Sequence, residues 1–453
     1  MKTRLVLASF VLLTTSGVFY SAQNNWIRHF GGVNHDYAHV QPMPDGGFIA
    51  CGQSAVVAGW RTGDIFVAKL NSRGMIEWQW LYGGAGDEGS TDLELTADGG
   101  FLVTGITESF ADDRGDILVL KLTLTGEIVW QYTFGGIGYD VPNEVLESED
   151  GGYLISARTE SFRSHPMRLW MIKLSSSGEI EWQKLYGKDT DMHALIQAQD
   201  GGYVLAGERW PDYGRADVWI MKLSKTGEIE WERTYGTPLS ERAWDIQSTG
   251  DGGYIVAARS WEVIFPRKTI SDIWILKLTA EGEIEWQRTY GGEDEEVAYA
   301  VCQISDGGYI LAGLTNSFGR GKSDALLFKL LPSGEIEWQK TYGDLDSDSV
   351  GAIYELSNGD LLVSGHYTPP FIGEIMDALI MKLDSNGDVG FECDLISTPS
   401  LAVSDTNIEP ALLVSPTQET YVVPISTDLV PRSLDFTITT LCGAYQKKGT
   451  YRR

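Results

Sequence analysis

Cysteine, positive charge and long hydrophobic runs are all scarce in this sequence. Four cysteines in 453 residues are too few for a disulfide scaffold, and after residue 22 no segment approaches the roughly 20 continuous apolar residues of a membrane-spanning helix. Lys and Arg number 35 against 63 Asp and Glu, a formal net charge of −28. Such a surface repels phosphate backbones, so we expect no nucleic-acid partner. Cations fit better, with a merely solvated acidic surface as the alternative.

Enzyme signatures are missing as well. The sequence contains no HExxH and no GxSxG motif, and in the stretch GRGKS the place of the first phosphate-loop glycine is held by Asn316. No run has a helical period of 3.6 residues, so we expect almost no helix. We predict that the protein is not an enzyme, although scattered carboxylates can form an active site without any recognisable motif.

The first 22 residues have the pattern of a secretory signal peptide. Lys2 and Arg4 precede an apolar run that ends near Tyr20 and is followed by small or polar residues. We predict a mature chain from residue 23 that is secreted, on the cell surface or periplasmic. Cleavage after Gly17 and an uncleaved anchor stay open, because Tyr20 is not a small residue.

The sequence is rich in an internal repeat. A first marker, DGG followed by Phe or Tyr, begins at Asp45, Asp98, Asp150, Asp200, Asp251 and Asp306, with a degraded copy at Asn358. A second marker, Gly-Glu/Met-Ile-x-Trp, begins at Gly74, Gly126, Gly178, Gly227, Gly282 and Gly334, with a decayed copy at Gly387. The first marker recurs every 50 to 55 residues, and the second follows the same period.

The repeat predicts the fold. Each unit contains four short runs rich in Val, Ile, Leu, Tyr and Trp, separated by Gly, Asp and Ser. A unit of this length with four antiparallel strands is a β-propeller blade, so we predict an all-β, seven-bladed propeller over residues 23–395. The strand Trp26–Phe30 is predicted to complete the last blade, where Phe391 replaces the marker tryptophan. An open solenoid is the competing interpretation.

The C-terminal residues 396–453 differ in composition. They are rich in Ser, Thr, Pro and alternating apolar residues, which predicts a small β-rich extension packed on the rim. Cys393 and Cys442 bracket this segment, and we expect them to form a disulfide worth roughly 4 kcal/mol. Cys51 and Cys302 lie in apolar strand contexts and are expected to be buried thiols.

The repeats resemble a known group of proteins. DGGYILAG, D-x-W-[IL]-x-K-L and GEIEWQ-x-x-Y-G are similar to the repeats of secreted bacterial and archaeal seven-bladed propellers, a mostly uncharacterised group, and to the tryptophan-docking repeat of quinoprotein-like propellers. The resemblance covers about residues 26–395 and implies architecture, with tryptophans packed between blades. Quinoprotein dehydrogenases carry a disulfide between adjacent cysteines beside their cofactor. No Cys-Cys pair occurs here, so the resemblance implies no redox cofactor.

The loops between second and third strands are long and differ between repeats, which favours their face as the binding face. The aromatic residues on it include Trp210 and Trp261. The aromatic residues chosen as ligand-binding candidates are Trp60, Tyr213, Phe265 and Tyr367. The repeated residues Phe110, Phe162 and Phe318 are expected to pack between blades instead.

A second candidate set is acidic. Carboxylates recur six residues after the aromatic residue of the fourth strand, at Asp36, Glu88, Asp140, Glu241, Glu296 and Asp348. Entering the innermost strands, they are candidates for a ring that holds Ca²⁺ through oxygen ligands. The alternative is a scaffold role, in which each carboxylate accepts hydrogen bonds from its own crossing loop.

Three functional hypotheses follow. We prefer a monomeric, non-catalytic scaffold or recognition module that binds a protein or polysaccharide through the variable-loop face. The alternatives are an envelope-associated hydrolase or lyase with carboxylates at the propeller channel, and a purely structural surface protein. Acidic and His side chains clustered in one central pocket with strongly perturbed pKa values would favour the enzyme.

Overall fold

The computed structural model describes residues 25–442 except for 32–38, 56–62, 112–113, 163–167, 188, 211–213, 265–267, 369–375, 391–392, 394, 406–410, 413–417, 420–424, 427–431 and 434–436. Within these residues the protein is all β-structure, without a helix. These residues therefore include no helix that could span a bilayer. The signal-peptide region lies outside the described residues.

Seven blades of four antiparallel strands form the ring, which confirms the predicted fold. The chain begins with β1 (Trp26–Gly31). Blades 1 to 3 contain β2 (His39–Pro42), β3 (Phe48–Ala55), β4 (Gly63–Leu70), β5 (Ile76–Tyr82), β6 (Glu88–Leu95), β7 (Phe101–Thr107), β8 (Asp116–Leu122), β9 (Ile128–Phe134), β10 (Asp140–Glu147), β11 (Tyr153–Thr159), β12 (Arg168–Leu174) and β13 (Ile180–Tyr186). Blades 4 to 6 contain β14 (Thr190–Gln197), β15 (Tyr203–Arg209), β16 (Asp217–Leu223), β17 (Ile229–Tyr235), β18 (Ser240–Ser248), β19 (Tyr254–Ile264), β20 (Lys268–Leu278), β21 (Ile284–Gly291), β22 (Glu296–Gln303), β23 (Tyr309–Thr315), β24 (Asp324–Leu330) and β25 (Ile336–Tyr342). Blade 7 contains β26 (Ser349–Glu355), β27 (Leu361–Tyr367) and β28 (Asp377–Leu383).

The N-terminal strand closes the ring, as predicted. β1 pairs antiparallel with β28, with Trp26 opposite Lys382 and Phe30 opposite Ala378. Blade 7 is therefore built from both ends of the repeat region. The seam needs no covalent link, because the strand pairing itself joins the two ends.

A belt of short C-terminal strands runs around the outside of the ring. Its members are β29 (Ile396–Ser397), β30 (Ala402–Asp405), β31 (Ala411–Leu412), β32 (Gln418–Glu419), β33 (Ile425–Ser426), β34 (Arg432–Ser433) and β35 (Thr437–Cys442). They pair in order with the fourth strands of blades 6, 5, 4, 3, 2, 1 and 7. Every blade thus gains a fifth strand on its outer edge, and the belt ends on the closing strand β1.

The first marker builds the turn between the first and second strands. Asp45 accepts a hydrogen bond from the Gly47 amide at 2.8 Å, and Gly46 has φ +81°, a conformation that glycine adopts without strain. Lys69 on the third strand contacts both Asp45 at 2.9 Å and Glu77 at 2.8 Å. Lys69 therefore forms a cross-strand ion pair with Glu77 and also anchors the turn through Asp45.

The second marker joins neighbouring blades. Tyr235 is fully buried and its hydroxyl donates a hydrogen bond to the carbonyl of Gly282 in the next blade at 2.7 Å. Gly282 has φ +77°, and a Cβ there would lie 3.0 Å from the indole of Trp231. The tryptophan of one blade thus packs against the turn glycine of the next, and apolar clusters fill the spaces between blades.

The cysteines divide into two groups. Cys393 is disulfide-bonded, and Cys51 and Cys302 are free. Burial raises the pKa of the Cys51 thiol to about 12, so this thiol is inert at neutral pH. The pairing of Cys393 with Cys442 stays a prediction.

Candidate functional site

A central cavity lies along the axis of the ring. Its volume is about 540 Å³, and its wall is formed by the innermost strands of the blades. This volume is within the range of small-ligand sites. The polar and aromatic residues in the wall include His39, Asp92, Glu144, His193, Trp244, Asp245, Tyr299, Tyr354 and His366.

Three carboxylates of the cavity wall connect neighbouring blades. Asp92 accepts a hydrogen bond from the Val145 amide of the next blade at 2.8 Å, and Asp245 accepts one from Val301 at 2.8 Å. Glu144 does the same, through Oε2, with the amide of the following blade's innermost strand at 2.6 Å. These half-buried carboxylates therefore have a structural role, which by itself explains their position in the cavity wall.

Burial perturbs the acidity of these groups. Burial, and then the nearby carboxylate of Glu94, raises the pKa of Asp92 to about 7. Burial raises the pKa of Asp245 to about 6. For Glu144, burial and the charges of Asp92 and Asp245 raise the pKa well above its ordinary value. The cavity therefore holds protonatable carboxyl groups near neutral pH.

The histidines of the cavity are shifted in the opposite direction. Burial lowers the pKa of His39 and, together with the charge of His39, lowers that of His366 to about 4. Both imidazoles are thus neutral at pH 7. His366 lies 3.3 Å from the Ser349 hydroxyl through Nδ1.

These shifts predict an acid-shifted stability optimum. The pKa of Asp92 is higher in the folded state than in the unfolded state. Its contribution to the free energy of unfolding is therefore fully present below pH 4 and is lost as pH rises to about 7. The turn carboxylate of Asp98 has its pKa lowered to about 2, so its contribution is lost only as pH falls below about 4. We expect a higher melting temperature at pH 5 than at pH 8, and a smaller difference in Asp92→Asn.

The control is Glu127→Gln, which removes one exposed charge. If both variants reduce the difference equally, Asp92 is not the source of the pH dependence.

A cleft opens beside the cavity on the face that carries the second-to-third loops. Strands β19 and β20 each have eleven residues and form a hairpin longer than those of the other blades. Its end, together with β18, forms a cleft of about 290 Å³. The cleft is lined by Arg242, Trp244, Arg259, Trp261, Val263, Thr269 and Glu295. Trp244 lines both spaces, so the cleft and the cavity lie on either side of this residue.

Guanidinium groups and indole rings alternate in this cleft. The Arg242 guanidinium carbon lies 5.0 Å from the ring centroid of Trp244 and 5.9 Å from that of Trp261. Arg259 lies 5.5 Å from the same Trp261 ring, and Tyr299 packs edge-on against Trp244 at 5.2 Å. The result is a cluster in which each guanidinium group lies within cation–π distance of an indole ring.

Ion pairs with neighbouring residues hold the two guanidinium groups of this cluster in place. Arg242 donates through Nε to Glu208 of blade 4, and Arg259 pairs with Glu295 near blade 6. The Nε of Arg259 and the indole N–H of Trp244 are buried and have no hydrogen-bond partner among the described residues. Both donors are enclosed by the surrounding side chains, so a ligand in the cleft reaches them only if those side chains shift.

The aromatic residues chosen from the sequence are only partly described. Trp60, Tyr213 and Phe265 lie outside the described residues. Tyr367 is buried and donates a hydrogen bond to Asp344 at 2.7 Å. It is therefore part of the packing beneath the face, and ligand binding by the other three stays a prediction.

The acidic candidates lie away from the cavity wall. Glu88, Asp140, Glu241, Glu296 and Asp348 are almost completely buried, and Asp36 lies outside the described residues. Glu88 shows the pattern: it accepts hydrogen bonds from the Gly84 amide at 2.7 Å and the Thr107 hydroxyl at 2.8 Å. These contacts match the scaffold alternative, and Ca²⁺ binding by this set stays a prediction.

The fourth blade departs from the spacing used in the sequence. Counting six residues from Tyr186 leads to Met192, but Thr190 occupies the position opposite Arg209 that Glu88 occupies opposite Thr107. The crossing loop into this blade is shorter by two residues, which moves the register.

Sequence reasoning did not select the arginines of the cleft. A usable signal was present, because Arg242-Ala-Trp244 and Arg259-Ser-Trp261 repeat one R-x-W pattern. Arg242 pairs with Arg259 in the sheet, Trp244 lies at the β-bulge that follows Ala243, and the side chains of both patterns line the cleft. The two patterns therefore meet on one face of blade 5.

Comparisons with known proteins give a likeness of fold only. No family model and no curated protein matches the chain. A protein of unknown function from Bacteroides caccae is similar, with 12% identity and a TM-score of 0.39 over 64% of this chain and 93% of that one. Chaetomium thermophilum Sqt1 bound to the N-terminus of ribosomal protein L10 has 10% identity and a TM-score of 0.39 over 79% of this chain and 98% of that one. A eukaryotic initiation factor has 10% identity and a TM-score of 0.36 over 86% of this chain and 97% of that one. Identities this low carry no information about function.

Proposed function

We propose that this protein is a non-catalytic recognition module that binds a neutral polysaccharide in the cleft of blade 5. The carrying observation is the cluster of Arg242, Trp244, Trp261 and Arg259 at the end of the long hairpin, which lines an open cleft. Indole rings pack against the apolar faces of sugar rings, and guanidinium groups donate hydrogen bonds to sugar hydroxyls. The net charge of −28 disfavours a polyanionic ligand.

The proposed location is outside the cytoplasm. Two observations support it: the signal-peptide pattern of residues 1–22 and the disulfide-bonded state of Cys393, which is typical of oxidising compartments. A protein ligand is the main alternative to a polysaccharide, because flat aromatic and arginine side chains also dominate protein interfaces.

Binding to a panel of neutral polysaccharides and peptides tests this proposal. We expect Trp261→Ala to weaken binding at least about tenfold, since stacking on one ring contributes on the order of 1.4 kcal/mol or more. The matched control is Trp210→Ala, which removes a half-buried indole on the same face of blade 4. Unchanged binding by Trp261→Ala, or an equal loss in the control, contradicts the proposal, and selective peptide binding replaces the polysaccharide with a protein.

The cavity favours one second candidate, a glycoside hydrolase. Glu144 lines the cavity, and its pKa is raised in part by the charge of the nearby Asp92 carboxylate. Glycoside hydrolysis uses one protonated carboxyl group as the acid and one ionised carboxylate as the base or nucleophile, and two carboxyl groups that influence each other's pKa could divide these roles. Release of reducing ends from the same polysaccharides, lost in Glu144→Gln, is the outcome that supports this candidate over simple recognition.

A further inference from the structure

Three side chains that can ligate metals meet at the mouth of the cavity on blade 4. Asp191 and His193 lie on β14, and Glu208 lies beside them on β15. Their ligand atoms are all within 4.8 Å of one another, and His193 Nε2 is 3.5 Å from Glu208 Oε2. The ligand atoms of a tetrahedral zinc site are about 3.4 Å apart, given bonds of about 2.0–2.1 Å.

Two atoms of this cluster lack the partners that buried polar atoms require. The Glu208 side chain is 0% exposed, and its Oε1 has no hydrogen-bond partner among the described residues. His193 Nε2 is also buried without a hydrogen bond. A buried carboxylate oxygen and a buried imidazole nitrogen without partners are costly unless a further group binds them.

The charges around the cluster indicate which ion fits. Arg158 contacts Asp191 at 3.1 Å, and Arg242 donates to Glu208, so two guanidinium groups balance two carboxylates. Little local electrostatic attraction is left for a cation, and binding must come from coordination bonds. Calcium needs six to eight oxygen ligands, whereas imidazole together with carboxylates suits a divalent transition-metal ion.

We propose that Asp191, His193 and Glu208 bind one divalent transition-metal ion, with Zn²⁺ as the reference ion. The arginines then act from outside, because they hold the carboxylates in orientation through the oxygens they contact. Trp244 packs against the His193 ring at a centroid distance of 4.8 Å and restrains it. His193 lines the cavity, so the fourth position of a tetrahedral ion is left for a water molecule or another ligand.

Metal titration of the purified chain tests this inference, which does not depend on polysaccharide binding. After treatment with a chelator, we expect the chain to bind one equivalent of Zn²⁺ by calorimetry and to develop a visible absorption band with Co²⁺. His193→Gln is expected to bind Zn²⁺ at least about tenfold more weakly, the range seen when an element of a metal site is removed. Ca²⁺ is expected to give no saturable binding at this site.

The control variant is His366→Gln, which changes another histidine of the cavity wall outside the cluster. Thermal melting without metal shows whether each variant folds, and added Zn²⁺ is expected to raise the melting temperature of the original chain and of His366→Gln only. Absence of saturable Zn²⁺ binding at micromolar concentration, equal binding by His193→Gln, or loss of binding in His366→Gln overturns the inference.

Discussion

A chain that ends after residue 397 is expected to melt roughly 5–10 °C below the full chain and to self-associate. This truncation removes the belt strands β30 to β35, which cover the outer edges of six blades. Each lost strand pair gives up backbone hydrogen bonds worth about 0.5–1.5 kcal/mol apiece. The uncovered fourth strands then present unpaired N–H and C=O groups, which promote pairing between molecules.

A chain that ends at residue 442 is the matched control, since it keeps the whole belt. It is expected to melt with the full chain and to stay monomeric by light scattering. A truncation after residue 397 that remains monomeric and melts like the full chain contradicts the structural role of the belt.

Replacing Trp26 by alanine is expected to cost about 3–5 kcal/mol of unfolding free energy, the range for buried aromatic residues. Trp26 is 5% exposed, packs against Phe48 at 6.0 Å between ring centroids and lies on the strand that closes the ring. That strand also carries the last belt strand, β35. Loss of the Trp26 side chain therefore weakens the pairing of β1 with β28 and with β35.

Trp286→Ala is the matched control for ring closure, because Trp286 occupies the equivalent register position in blade 5, opposite Lys277. There the fourth strand is joined to its own blade by a short turn. Chemical denaturation is expected to show a larger loss for Trp26→Ala than for Trp286→Ala. Equal losses would mean that the non-covalent seam of blade 7 is no weaker than a covalently continuous blade.

The ring was predictable from the sequence because it is repeated. Each blade repeats the same turn chemistry, such as the Asp45 carboxylate on the Gly47 amide, so every marker is a separate sign of one fold. The missing strand of blade 7 and the spare strand at Trp26 then predicted closure. Local turn signals and their period were enough for this part of the structure.

The belt was predictable only as a few short strands on the rim. Strands β31 to β34 begin at 411, 418, 425 and 432, and an extended heptapeptide spans about 23–25 Å. A strand of two residues is too short to show an alternation of apolar and polar residues in the sequence. Their partners are up to some 350 residues away along the chain, so only the finished ring shows where they pair.

The candidate site was less accessible to sequence reasoning for a different reason. Asp92, Glu144 and Asp245 share one register position, but other blades carry alanine or histidine there, so no repeat marks it. The cleft depends on an extended hairpin found in blade 5 alone among the described blades. Its R-x-W pattern is not specific to the cleft, because a third copy, Arg168-Leu169-Trp170, lies in blade 3. The candidate site consists of residues that differ between the repeats, whereas the fold follows from residues that the repeats share.

Hydrogen–deuterium exchange with and without a bound polysaccharide locates the binding surface on the ring. Recognition at the blade 5 cleft predicts slower exchange over Arg242–Trp244 and Arg259–Val263 when the ligand is bound, with no change at the opposite-face turns near Asp98 and Asp251. Protection confined to that opposite face, or spread evenly over all blades, would contradict recognition at the blade 5 cleft.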